Sequence, residues 1–152
     1  MPEEEKQMNN IEIREDVPLP FPAEVFEKQL IAVLDYLKID NWELSVVIAD
    51  AETIRVLNRD FRDTDAPTDV LSFPQEGEVQ PDGFYYAGDL VFCPEQIAEN
   101  CRCFGEDEKT EWLRLAVHGI LHLSGYAHKS YEADDPMLKY QEEIIQELKK
   151  SV

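Results

Sequence analysis

The chain's three histidines stand within the run His118 to His128, HGILHLSGYAH, on a segment whose apolar residues repeat with helical spacing. One element must therefore serve as both a core helix and a nitrogen-bearing surface. Residues four apart on a helix lie one above the other, so His118 and His122 project from one face. At about 100° per residue, Trp112, Leu113, Ala116, Val117, Ile120 and Leu121 fall on the other side and pack inward. Gly125 stands where a helix end favours a left-handed residue, and three residues further on His128 can return toward the same point.

A core helix of this kind needs partners, and the remaining sequence supplies them. Ile11 to Ile13, Trp42 to Ala49, Asp69 to Phe73 and Ala87 to Cys93 read as four short strands. Between and after them, helical periodicity runs from Pro22 to Leu37, with Val25, Phe26, Leu30, Val33, Leu34 and Leu37 inward. It resumes after the cap residue Asp50, with Ile54, Leu57 and Phe61 inward. Further helices are expected over Pro94 to Phe104, Asp107 to Ser124 and Asp134 to Lys150. Four strands interleaved with about five helices predict a layered α/β or α+β fold. No repeat or linker divides the chain, so we expect a single domain over 10–152 behind an acidic tail at 1–9.

With 14 basic against 33 acidic residues, the net charge is −19. Such a chain is ill suited to indiscriminate duplex binding, which depends on neutralising phosphates with Lys and Arg. No apolar run is long enough to span a bilayer, and Met1-Pro2-Glu3-Glu4-Glu5 lacks the order of a signal peptide, which predicts a cytoplasmic protein without membrane contact. Cys93, Cys101 and Cys103 do not form a disulfide framework and are expected to be reduced, half-buried thiols.

Three neutral imidazoles without a thiolate suit zinc, or another first-row divalent ion, at a catalytic site with a position left for water. The spacing His-x-x-x-His-x-x-Gly-x-x-His is also that of the metzincin proteases, which carry a general-base glutamate beside the first histidine. Here that position is Gly119, which cannot take a proton, so peptide hydrolysis by that route is not expected.

The histidine run resembles the signature of the YbeY-type endoribonucleases, bacterial ribosomal RNA maturation factors, whose pattern is His-Gly-x-Leu-His-Leu-x-Gly-Tyr-Asp-His. Two upstream blocks are similar as well: Asn58-Arg59-Asp60-Phe61-Arg62 followed by Pro67-Thr68-Asp69-Val70-Leu71-Ser72-Phe73-Pro74, and Gly88-Asp89-Leu90. The resemblance covers about residues 42–148. It implies a mixed sheet with helices packed around it, one zinc ion on His118, His122 and His128, and cleavage of single-stranded RNA. That cleavage would serve maturation of small-subunit ribosomal RNA, at its 3′ end, and ribosome quality control, with the small subunit or assembly proteins as partners. Arg62 matches the family's functionally important arginine; it and His118 are the catalytic candidates. Ala127 stands where the family usually has Asp, and Asp63-Thr64-Asp65 where it often has Gly-Lys-Asp.

Phosphodiester cleavage needs positive charge around a developing five-coordinate phosphate, and an arginine can clamp its equatorial oxygens. Arg55, Arg59 and Arg62 recur at helical spacing and predict a cationic stripe, with Arg62 as the clamp and Arg59 next in line. The acidic balance predicts low affinity for free RNA and a partner that delivers the substrate. A rival reading from another class is a ribosome-assembly binding factor whose zinc site is structural or vestigial.

Overall fold

β-Branched and aliphatic runs of strand length form a four-stranded sheet in the computed structural model, which describes residues 8–75, 79–125 and 135–150. The strands are β1 (Asn10–Glu15), β2 (Trp42–Ile48), β3 (Val70–Pro74) and β4 (Tyr85–Phe92), in spatial order β1-β2-β4-β3. β1 and β2 run parallel, as do β2 and β4, while β3 lies antiparallel to β4 at the edge. The mixed sheet is the one expected.

The helices are α1 (Ala23–Tyr36), α2 (Ala51–Arg62), α3 (Pro94–Phe104), α4 (Glu108–Leu123) and α5 (Pro136–Lys149). Parallel neighbours cannot be joined by a tight turn, and α1 supplies the crossover between β1 and β2. Asp50 begins α2 by accepting from the Thr53 amide at 2.7 Å, as its position predicts. Asp107 caps α4 through the Thr110 amide, and Asp135 caps α5 through the Met137 amide. Met8 and Asn9 are already engaged ahead of β1: the Asn9 side chain donates to Ile39 O and accepts from the Trp42 amide.

Alternation along the strands divides the interior in two. Leu44, Val46 and Ile48 of β2 and Leu90 and Phe92 of β4 join α1, α4 and α5 in the larger core. Trp112 is fully buried there among Phe21, Phe26 and Phe92, with ring centroids 5.1 to 5.7 Å apart. On the other side, Leu71, Val91 and the flanking Ala49 and Cys93 bury Ile54, with Leu57 and Phe73 packed against them. Two residues expected to face inward do not: Val25 is 39% exposed and Phe61 61%. Phe61 stands in the last turn of α2, where its ring meets the Phe73 ring edge to face and stays largely open to solvent. Cys93 and Cys101 are buried and Cys103 is exposed, so the thiols are not uniformly half-buried.

α4 is the element that positions the candidate site. All six of its residues expected to face inward are buried, which orients the opposite flank toward β3 and α5. Among the described residues, no helix is long and apolar enough to cross a membrane.

Candidate active site

A cleft of about 600 Å³ opens between α2, the edge strand β3, α4 and α5. Asn58 and Arg62 line it from α2, Asp69 to Ser72 from β3 and its approach, and His118, Gly119 and His122 from α4; Gln141 completes it from α5.

The two histidines stand as their spacing predicts. Their rings meet edge to face with centroids 4.5 Å apart, and the Nε2 atoms are 3.0 Å from each other. His118 Nδ1 lies 2.7 Å from Gln141 Oε1. An amide oxygen only accepts, so Nδ1 carries the proton and Nε2 is left with its lone pair toward His122. The amide is oriented in turn by its Nε2, 3.4 Å from Glu142 Oε2. At zinc–nitrogen distances of about 2.0–2.1 Å, two nitrogens of a tetrahedral site lie roughly 3.3 Å apart, so this pair can share a cation with only a small adjustment. His128, Tyr126 and Ala127 lie outside the described residues. Among the described residues no group of three His, Cys, Asp or Glu side chains is assembled around one point.

Gly119 explains why the metzincin glutamate has no place here. A Cβ at this position would meet Leu90 Cδ2 at 2.8 Å, so residue 119 faces the packed sheet. A glutamate there would bury its carboxylate in hydrocarbon instead of presenting it to the histidines.

The expected arginine stripe is broken by neighbouring carboxylates. Arg55 pairs with Glu52 and Asp65, and the hydrogen bonds to them raise its pKa. Arg59 pairs with Asp60. Arg114, which also lines the cleft, is clasped by Glu142 at 3.0 and 3.1 Å and by Glu111 at 3.1 Å. Arg14 and Arg102 likewise have carboxylate partners. The remaining arginine, Arg62, joins no ion pair among the described residues: it donates to Ser72 O at 2.5 Å and Phe61 O at 3.2 Å, and its Cζ sits 5.2 Å from the Phe73 ring centre. Carbonyl oxygens and an aromatic ring satisfy donors without cancelling the charge. Arg62 thus brings an unneutralised guanidinium to the cleft with the two histidines, and Arg55 and Arg59 do not.

Other candidates have structural partners. Asp69 Oδ1 accepts from the Val70 amide at 2.8 Å and Oδ2 from Asn100 at 3.2 Å, which fixes the entry to β3. Asp89 accepts from the Tyr86 hydroxyl at 2.7 Å. Burial pushes the Cys93 and Cys101 thiols up, away from the nucleophilic thiolate. Two polar residues that line the cleft were not singled out from the sequence as site residues. Gln141 is 6% exposed and shares the inward face of α5 with Met137, Ile144 and Ile145. Asn58, 7% exposed, donates to Ala66 O at 2.9 Å and holds the loop that leads to β3. In each case the available signal was an amide side chain at a core position of a helix.

The chain is thus a mixed-sheet α+β protein whose cleft brings together two facing imidazoles and a guanidinium without a carboxylate partner among the described residues. The sequence profile of the family "Endoribonuclease YbeY" matches residues 3–149. The chain is 43% identical over 117 residues to the endoribonuclease YbeY of Treponema pallidum strain Nichols, covering 75% of this chain and 73% of that one. It is 34% identical over 144 residues to that of Persephonella marina, covering 93% and 94%. Among solved structures, the solution structure of a Thermotoga maritima protein superposes with a TM-score of 0.62 at 28% identity, covering 95% of this chain and 91% of that one. The chain belongs to the endoribonuclease YbeY family.

Proposed function

We propose that this chain is a zinc-dependent endoribonuclease that cuts single-stranded RNA in the cytoplasm. Its role would be maturation of small-subunit ribosomal RNA, at the 3′ end, and ribosome quality control, with the small subunit or its assembly proteins delivering the substrate. The observation that carries this reading is the convergence of Arg62, without a carboxylate partner among the described residues, on the cleft that holds the His118–His122 pair.

His118 and His122 would hold the ion, with His128 as the third ligand. When bound, it would polarise a phosphoryl oxygen and acidify a water molecule. The chain's own groups supply the rest. Gln141 fixes the His118 tautomer, so Nε2 is available without a proton having to leave. Arg62 offers planar paired donors to the non-bridging oxygens of a phosphate, where negative charge grows as the fifth bond forms. Glu106, Glu111 and Glu142 around Arg114 outnumber its charge and leave that side of the cleft net negative, so an anion would be drawn to Arg62 and the histidine pair instead.

The deciding experiment is cleavage of a labelled single-stranded RNA by protein of known metal content, by chelated protein and by Arg62→Ala. Activity should vanish on chelation and return with zinc. Arg62→Ala should lower kcat by about 10²–10³-fold, as loss of a charge-stabilising donor does. Arg62 is exposed and its hydrogen bonds lie at the surface, so the variant should keep its fold. Metal-loaded protein that cleaves nothing, even with ribosomal subunits present, would establish the assembly-factor reading instead. A second check concerns the amide. Gln141→Ala should weaken zinc binding by about 10–100-fold, measured by competition with a chromophoric chelator, because the His118 ring loses the partner that sets its tautomer. Unchanged affinity would remove Gln141 from the site.

A further inference from the structure

Resting on the reading of the cleft as a ribonuclease site, we infer that Phe61 is a stacking platform for one nucleobase of the RNA, next to the phosphate held by Arg62. Phe61 was expected in the core and is 61% exposed, although its helix neighbours Ile54 and Asn58 are buried. Its ring stands edge to face on Phe73, with centroids 5.4 Å apart and planes at 77°, which holds it upright at the end of α2. The same Phe73 ring carries the Arg62 guanidinium 5.2 Å from its centre. Phe73 therefore fixes both the group that would grip a phosphate and the aromatic ring beside it.

The placement on the sheet gives this pair a direction. Ser72 lines the cleft on the α4 side of β3, and the next residue, Phe73, packs on the α2 side. Arg62 reaches across the edge strand to Ser72 O and joins the two sides. A single strand of RNA with a phosphate at Arg62 can pass over this edge and lay the neighbouring base on Phe61. Every base has a π-face, so such a platform holds single strands with little sequence preference, and a paired duplex cannot offer it an unstacked base. In a protein of charge −19, stacking also supplies affinity that electrostatics withholds.

The test is steady-state cleavage of a short single-stranded RNA by wild type, Phe61→Ala, Phe61→Leu and Phe61→Trp, with an abasic nucleotide stepped along the substrate. Phe61→Ala should raise KM about tenfold with kcat within about twofold of wild type. Phe61→Leu keeps apolar packing on Phe73 without a π-face and should behave like alanine, while tryptophan restores KM. One abasic position should raise the wild-type KM by the same factor and leave Phe61→Ala unaffected there. Wild-type KM in Phe61→Ala, a loss confined to kcat, or equal sensitivity at all abasic positions would overturn the subsite while leaving the nuclease reading intact. A wild type that cuts no RNA would overturn both.

Discussion

His122→Ala should lower RNA cleavage by three orders of magnitude or more and abolish stoichiometric zinc binding, while the protein stays folded. The magnitude follows from what a bound cation supplies to phosphodiester chemistry, several kcal/mol at the transition state, equivalent to about 10³-fold or more. His122 and not His118 gives the cleaner measurement. Truncating His118 would strip Gln141 Oε1 of its partner at 2.7 Å in a side chain 6% exposed, and an orphaned buried acceptor costs about 1–3 kcal/mol. His118→Ala should therefore lose activity and also unfold at lower urea concentration than His122→Ala. Comparing the two variants by metal content and urea melts separates chemistry from folding. Cleavage by metal-replete His122→Ala within about tenfold of wild type would refute a catalytic role for the pair.

The second large effect is on the sheet. Gly88 sits in β4 with φ +141°, between its partners Leu44 of β2 and Pro74 of β3. A Cβ there would lie 2.3 Å from Phe73 O and 3.1 Å from Leu123 Cδ2. The first contact is with backbone, which cannot swing aside, so β3 and β4 would have to part. Overpacking at about 1–3 kcal/mol and strain of similar size at a sparsely populated φ give an expected loss of about 3–5 kcal/mol for Gly88→Ala. Against a typical stability of about 5–15 kcal/mol, that is a large share of the total. Gly105 provides the control, because its φ is +66° but nothing lies within 4 Å of its Cβ position. Gly105→Ala should cost only about 1–2 kcal/mol, the penalty of a side chain at a left-handed φ. Equal urea midpoints for the two alanine variants would show that the contact with Phe73 O is not what requires glycine.

Most of the architecture was legible because each element announces itself locally. The period of 3.6 in Phe26, Leu30, Val33 and Leu34 and the cap at Asp50 need no knowledge of distant residues. The pairing of His118 with His122 was legible for the same reason, being a property of one helix. Contacts made across the chain were not. Gln141 lies 23 residues from His118, and α5 must dock before the two can meet. The arginine stripe failed on this point too: helical spacing aligns Arg55, Arg59 and Arg62, but Asp65, beyond the end of the helix, folds back onto Arg55. Phe61 was misplaced because periodicity reports which face of a helix is apolar, not how much of that face the rest of the chain covers.

The edge position of β3 has one more consequence. A terminal strand displays unpaired amide and carbonyl groups that can template another extended chain, and soluble proteins obstruct such borders with charge and proline. Here Arg62 occupies the Ser72 carbonyl, and Pro74, which has no amide hydrogen, ends the strand. The guanidinium thus covers one acceptor on that border, and Arg62→Ala should leave the Ser72 carbonyl open to another extended chain.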